Sequence, residues 1–178
     1  MRNAQFGPAA LALAILTITA VTQVLPPPAA AADDWRTYHN DRYGTTIDYP
    51  SVFKPGTPPE SDDGLAFTSA DGAEFSVFAS YNALGFDLAE FQDFIVKDLA
   101  SDTVITYRAH GGDWFVISGM KGSDRIFYER HLLSHGKEMT ESFVASYPTG
   151  LKQKYDPIVA RMSKSFRAGR GFQTPEKR

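Results

Sequence analysis

The sequence predicts an α+β fold in which an antiparallel β-sheet meander is flanked by helices. Short runs rich in β-branched and aromatic residues are separated by glycine-containing turns, which is typical of hairpins. Two other segments repeat their apolar residues at helical spacing. The part of the chain after residue 32 has a length that suits one domain with a real hydrophobic core. We therefore predict a single α+β domain over residues 33–167.

Residues 1–32 are predicted to be a secretory signal peptide. An arginine lies near the amino terminus, an uncharged apolar run covers residues 8–25, and a Pro- and Ala-rich stretch leads to Asp33. A basic start, an apolar run and a small-residue exit are features of such a leader. The alternative is a retained membrane anchor, because the run is about long enough to span a tilted bilayer. The leader predicts a periplasmic or secreted protein with no stable membrane span after cleavage.

Four turns divide the predicted strands of the meander. They are centred on Asp71-Gly72, Gly111-Gly112, residues 121–124 and His135-Gly136. After the first turn, apolar side chains alternate with polar ones, as expected for a strand with one buried face. The apolar positions are Phe75, Val77, Ala79 and Tyr81, and Phe78 is the exception on the polar side.

The last turn predicts a specific pairing of strands. If His135-Gly136 is a two-residue turn, Arg130 lies opposite Glu141 on the neighbouring strand. The hypothesis is a cross-strand ion pair between these two residues. An exposed pair would contribute about 0–1 kcal/mol, whereas a pair covered by helices would be costly to break.

Two amphipathic helices are predicted. The first has an apolar stripe of Leu88, Phe91, Ile95 and Leu99, with Asp87 as N-cap and Glu90 reaching back to it. The second has a stripe that runs from Leu151 to Phe166, with Asp156 and Pro157 predicted as the cap and first-turn pair of its main segment. After this helix the apolar periodicity stops, so residues 168–178 are predicted to be a flexible tail.

The charges are unevenly distributed. Residues 33–151 carry 9 basic and 19 acidic residues, whereas residues 152–178 carry 8 basic and 2 acidic. The basic end is interpreted as a solvated helix face and tail, and binding to an anionic surface is the alternative. It carries no interleaved aromatic residues for base stacking, so no nucleic-acid partner is predicted.

No residue pattern predicts catalysis, a cofactor or a metal site. The chain has no cysteine, and Ser118-Gly119 lacks a nucleophile-elbow motif. His131 and His135 are predicted on one strand face about 13 Å apart, too far to share an ion. The acid-rich residues 60–64 lack the spacing of a calcium hand. Instead, Tyr49, Phe53, Trp114, Arg130 and Glu141 are the candidate structural or interaction residues, with Tyr49 and Phe53 predicted to cover a sheet edge.

Several short stretches resemble the PsbP-like superfamily, in particular its small exported bacterial members. They are Tyr43-Gly44, Asp48-Tyr49-Pro50, Phe53, Asp71-Gly72, Tyr81-Asn82, Tyr107, residues 114–119, Phe127-Tyr128, Tyr147-Pro148 and residues 155–159. The resemblance implies a PsbP-like α/β sandwich that docks onto larger assemblies. It implies no catalytic residues.

The predicted function is therefore an exported, non-catalytic binding or scaffold module of the cell envelope. Its partner is an unknown envelope protein or a small ligand. The alternative is an enzyme or metal-dependent protein with an unrecognised site. An exposed apolar groove beside the sheet would favour the binding module. A closed pocket with convergent ionisable groups would favour the enzyme.

Overall fold

The computed structural model describes residues 34–169, which contain nine strands and two α-helices. In chain order these are β1 (Trp35–His39), β2 (Thr46–Pro50), β3 (Lys54–Pro55), β4 (Gly64–Thr68), β5 (Glu74–Tyr81), α1 (Leu88–Asp98), β6 (Thr103–His110), β7 (Trp114–Lys121), β8 (Arg125–Ser134), β9 (Met139–Pro148) and α2 (Lys152–Ser165). The predicted leader and most of the predicted tail lie outside the described residues.

Seven strands form one antiparallel sheet in the order β3-β4-β5-β9-β8-β7-β6. All six strands of the predicted meander, β4 to β9, are present, but they do not pair in simple chain order: β6 to β9 form one meander, and the β4–β5 hairpin pairs through β5 with the outer side of β9. Helix α1 connects β5 to the opposite edge of the sheet. Strands β1 and β2 form a separate two-stranded sheet, which the sequence pattern did not predict. The predicted α+β class is confirmed.

Helix α1 begins as predicted, because its first amides are capped from both directions. The Glu90 amide donates to the Asp87 carboxylate at 2.9 Å, and the Asp87 amide donates to the Glu90 carboxylate at 2.9 Å. Among residues 34–169, neither this helix nor any other is long and apolar enough to cross a membrane.

Helix α2 follows the predicted apolar stripe, but its predicted cap is wrong. It starts at Lys152, so Pro157 lies inside the helix and Asp156 is not its N-cap. A proline there removes one intrahelical hydrogen bond. Tyr155, fully buried in the core, anchors the turn before the proline and allows the helix to extend back.

The two helices lie on opposite faces of the seven-stranded sheet, and each covers about half of its face. Helix α2 and the β1–β2 sheet cover an aromatic core in which Phe75 stacks on Phe67 with ring centroids 4.4 Å apart. Helix α1 covers the other face at its β6–β8 end, where Phe91 packs against Phe115. Each face therefore keeps one half that no helix covers.

The pairing of β8 with β9 differs from the predicted one. Residues 135–138 form a longer turn, in which His135, Gly136 and Lys137 all have positive φ. Lengthening the turn by two residues shifts the register by two and leaves each side chain on its predicted face. Arg130 consequently lies opposite Phe143, and Leu132 lies opposite Glu141. The predicted Arg130–Glu141 cross-strand pair is wrong.

An ionic cluster fastens α2 to the turn between β4 and β5. The Asp71 carboxylate accepts hydrogen bonds from Lys154 at 2.5 Å and from the hydroxyls of Tyr155 and Ser69, each at 2.6 Å. These donors, Lys154 foremost, hold the pKa of Asp71 well below its usual range. Because the folded-state pKa is lowered, the stabilisation is present above the unfolded pKa of about 3.9 and is lost as the pH falls below it.

We expect Asp71→Asn to lower the free energy of unfolding by about 1 kcal/mol at neutral pH, since the Asp71 and Lys154 side chains are partly exposed and screened. The variant should also lose less stability than the wild type when the pH is lowered from about 5 to about 2. Urea unfolding at several pH values measures both effects, with Asp93→Asn on the exposed face of α1 as the control. Parallel acid curves for wild type and Asp71→Asn would contradict the assignment.

Candidate functional site

The half of the α1-side face that no helix covers forms a groove between α1 and strands β4, β5 and β9, which we call the α1 groove. Its larger part is a cavity of about 520 Å³ that reaches the C-terminal end of α1, and a second cavity of about 310 Å³ continues it. Phe78 and Ile95 line both cavities. These volumes are in the range that holds a small ligand or a few partner side chains.

Strand register determines the floor of the α1 groove. Small or polar side chains of β4, β5 and β9 point to this face because side chains alternate along each strand. They include Ala66, Ser76, Ser142, Val144 and Ser146. Phe78 of β5 is a large side chain on this floor, and it is the residue that breaks the alternation of apolar and polar residues along that strand. A floor of small side chains leaves the space that α1 does not fill.

A chain of hydrogen bonds crosses the floor of the α1 groove. The His131 Nε2 lies 3.0 Å from the Glu129 Oε2, and the His131 Nδ1 lies 2.8 Å from the Ser142 hydroxyl. The His131 ring also stacks on Phe115, with centroids 4.7 Å apart. The two ring nitrogens therefore both have polar partners, Glu129 at Nε2 and Ser142 at Nδ1. The packed ring therefore fixes the orientation of Glu129.

The hydrogen-bonded residues Glu129, His131 and Ser142 are of the types that form a nucleophilic triad, but their geometry differs from it. Ser142 is buried, and it contacts the imidazole at Nδ1 rather than at Nε2, the nitrogen that bonds the serine in the Ser-His-Asp template. The Ser142 hydroxyl lies at the floor of the α1 groove, and the arrangement differs from that template at the serine–histidine contact.

Exposed apolar side chains surround the smaller cavity of the α1 groove. Phe78 is 41% exposed, Phe94 is 47% exposed and Leu84 is 71% exposed. All three line this cavity, together with the half-exposed Tyr81. Tyr81 was predicted on the buried face of β5, but only Phe75, Val77 and Ala79 are buried there. Contiguous exposed apolar groups mark binding surfaces more often than isolated ones do.

The candidate residues Tyr49 and Phe53 lie in the core under α2 rather than in the groove. The Tyr49 ring is 4.8 Å from that of Phe67, and the Phe53 ring is 4.9 Å from that of Phe75. Both rings pack over β4 and β5, toward the β3 end of the sheet. Buried aromatic rings of this kind contribute area to the core.

Trp114 and Arg130 lie on the α2 side, opposite the α1 groove. The Arg130 guanidinium lies 5.1 Å from the centre of the Trp114 ring and donates from Nη1 to the Ser163 carbonyl at 2.7 Å. Its Nε has no hydrogen-bond partner among the described residues. Arg130 thus links β8 to α2 and makes no ion pair with Glu141.

Glu141 is 1% exposed and is held by neutral donors. Its carboxylate accepts hydrogen bonds from the hydroxyls of Thr45 and Ser134, at 2.8 and 2.9 Å, and from the Gly169 amide at 3.2 Å. Gly169 belongs to the predicted tail, so at least this residue is hydrogen-bonded to the domain. Glu141 lies where three chain segments meet, and its role there is structural.

The histidine positions differ from the prediction in one respect. His131 lies on β8, but His135 lies in the following turn, where its Nε2 is 3.0 Å from the Gly169 carbonyl oxygen. The two residues therefore do not share a strand face. Between residues 34 and 169, no group of three or more His, Asp or Glu side chains is arranged to hold a metal ion.

A second groove of about 560 Å³ lies on the opposite face, between α2 and strands β6 to β8. Its polar groups are largely bonded to one another. The Tyr147 hydroxyl donates to Asp156 at 2.8 Å, and the Tyr128 and Ser163 hydroxyls are 2.7 Å apart. Burial and the Asp156 carboxylate raise the pKa of Tyr147 well above its usual range, so this hydroxyl stays a donor. The Tyr147 and Tyr128 hydroxyls are therefore already hydrogen-bonded within the protein.

The sequence interpretation did not identify Glu129, His131 and Ser142 as site residues. A signal was present, because Phe127, Glu129, His131 and Leu133 alternate onto one face of β8. Two ionisable residues in an otherwise apolar row indicate a polar patch on a covered face. Which helix borders that patch depends on the path of α1, which alternation cannot predict.

The fold and the α1 groove define an α+β domain with an open cleft between α1 and strands β4, β5 and β9. Similar solved structures include cyanobacterial PsbP (CyanoP) from Synechocystis, with 12% identity and a TM-score of 0.57, covering 82% of this chain and 98% of that one. They also include the Ran-binding protein Mog1p of Saccharomyces cerevisiae, with 13% identity and a TM-score of 0.56, covering 77% of this chain and 96% of that one.

The chain therefore has the PsbP-like/Mog1 fold, and the predicted resemblance is confirmed for the fold. No protein-family model matches the sequence, and no curated protein is similar to it.

Proposed function

We propose that this chain is an exported, non-catalytic binding module of the cell envelope that holds a partner protein in the α1 groove. The observation that carries the proposal is the cluster of exposed apolar side chains, Phe78, Leu84 and Phe94, beside an open groove. Exposed aromatic and aliphatic groups next to a cavity can bury partner side chains on association.

Two further points support this proposal. The groove is open, which suits a segment of a larger molecule, and the Ser142 hydroxyl contacts His131 at Nδ1 rather than at the nitrogen that bonds the serine in the Ser-His-Asp template. Mog1p, which shares the fold, is a Ran-binding protein, so the fold is used for protein binding in that case. Export is proposed from the leader-like composition of residues 1–32.

Affinity capture from envelope extract tests the proposal with two matched double variants. Leu84→Glu with Phe94→Glu alters the α1 groove, and Val104→Glu with Tyr107→Glu alters exposed apolar residues of β6 outside it. We expect the wild type and the β6 variant to capture the same partner, and the groove variant to lose at least about 90% of it, since charges would be buried against apolar groups.

Equal capture by all three proteins would overturn the groove assignment, and loss in the β6 variant alone would move the binding surface to the second groove.

The intact mass of the protein, expressed with residues 1–32, tests export. A mature chain starting within a few residues of Asp33 is expected, whereas residues 1–32 retained in a membrane fraction would contradict export. Metal analysis of this sample tests the metal-dependent alternative.

A further inference from the structure

The larger cavity of the α1 groove contains a carboxylate with one oxygen available. Glu129 is 13% exposed in its side chain, and His131 holds its Oε2 at 3.0 Å. Its Oε1 makes no hydrogen bond to any residue between 34 and 169, yet the residue lines the cavity. A carboxylate oxygen in a partly desolvated site has an unsatisfied capacity for a donor, and a charged donor satisfies it best.

The charges around Glu129 also favour a cation. Asp98, the last residue of α1, lines the same cavity, where the helix C-terminus carries partial negative charge. Glu74 also lines it but is already paired with Arg125 at 3.1 Å. Lys121 is the one lysine among the described residues that line the cavity. It lies opposite Arg125 of β8, and the rise per residue places this position about 13 Å along the strand from Glu129.

The walls near Glu129 suit an aliphatic stem rather than a compact hydrated ion. Ile95 of α1, Leu99 just after the helix, and Val144 and Phe127 of the sheet all line the cavity. Lysine and arginine bury their methylene stems on such surfaces while the charged end finds a polar partner. The groove continues past Phe78 to the exposed apolar patch, so the occupant is longer than one side chain.

We propose that Glu129 is the recognition residue for a lysine or arginine side chain of the partner protein. The ammonium or guanidinium group donates to Glu129 Oε1, its stem packs between α1 and β9, and an adjacent apolar residue of the partner contacts Phe78 and Phe94. This assignment rests on the proposed function, because it names the chemistry of the partner that the α1 groove holds. His131 acts as a positioning residue for the carboxylate.

The experiment is a titration of the domain with four-residue acetylated peptide amides, followed through the backbone amide NMR signals of Ser76, Val144 and Ser146. The probes are Phe-Gly-Gly-Lys, the same peptide with norleucine in place of lysine, and the same peptide with glutamate. The lysine peptide should bind about tenfold more tightly than the norleucine peptide, as expected for one charge-assisted hydrogen bond. The glutamate peptide should bind most weakly.

Variants separate recognition from folding. Glu129→Gln should reduce lysine-peptide affinity to that of the norleucine peptide, and Asp98→Asn, at an exposed position, should reduce it by a smaller factor. Asp93→Asn, on the exposed face of α1, is the charge-matched control and should leave it unchanged. Added salt should weaken binding of the lysine peptide only. If Glu129→Gln does not fold, the Asp98→Asn and salt results still decide the matter.

Equal affinity for lysine and norleucine peptides would overturn the inference. So would hexylammonium binding as tightly as the lysine peptide, which would assign the site to free amines. Partner capture that depends on Leu84 and Phe94 while lysine shows no advantage would overturn only this inference. Capture that is indifferent to those residues would overturn the proposed function itself.

Discussion

Replacing Glu141 by leucine should lower the free energy of unfolding by about 3 kcal/mol. The carboxylate is buried and accepts hydrogen bonds from the Thr45 and Ser134 hydroxyls and from the Gly169 amide. Leucine accepts no hydrogen bond, so three donors would lose their partner inside the protein. The loss is far larger than an exposed ion pair could produce.

Denaturant unfolding of a small series distinguishes the reasons for this loss. Glu141→Gln keeps one acceptor oxygen and should cost about half as much, while Glu138→Leu in the exposed turn should have little effect. Combining Arg130→Met with Glu141→Leu should give additive losses within about 0.5 kcal/mol, because the two side chains are not paired. A large interaction energy between the two substitutions would contradict the register and indicate an ion pair between Arg130 and Glu141.

Phe53→Ala should be the second large effect, costing about 3–5 kcal/mol. Phe53 is 1% exposed, and its ring lies 4.9 Å from that of Phe75 and 5.8 Å from that of Tyr155. Alanine would remove apolar contact area and leave a cavity between the sheet and α2, which rigid neighbours cannot fill.

Two further substitutions calibrate the Phe53 result in the same thermal or urea unfolding assay. Phe53→Leu retains most of the volume and should cost about 1 kcal/mol. Phe94→Ala removes the same ring from an exposed site in the α1 groove and should change stability by less than about 1 kcal/mol. A Phe53→Ala loss no larger than that of Phe94→Ala would show that residues near 53 are not part of the core.

Local signals predicted most of the sheet and of α1. The glycine turns at Gly72, Gly111 and Gly122 lie between strands as expected, because hairpin turns of this length are specified by the residues within them. The N-cap of α1 is a contact between residues three apart, Asp87 and Glu90. Such features need no information from distant parts of the chain.

Two local predictions failed where tertiary packing overrode the local signal. The β8–β9 turn has positive φ at His135 and Lys137, and Asn82 holds it by hydrogen bonds to the Lys137 and Glu138 carbonyl oxygens. Helix α2 continues back past Pro157 because burial of Tyr155 outweighs the one hydrogen bond that the proline removes. In both cases a contact distant in sequence decided the outcome.

The sequence by itself determined the α+β class, the strands of the meander, the cap of α1 and the apolar stripes of both helices, because alternation and helical periodicity are local properties. Only the tertiary structure decided that α1 covers β7 and β8 and leaves β4, β5 and β9 open, so that Glu129 and His131 line a groove with Phe78 and Ile95. The physical reason is that a groove is space between elements. Its existence depends on where each helix packs, and no short segment of the chain encodes that position.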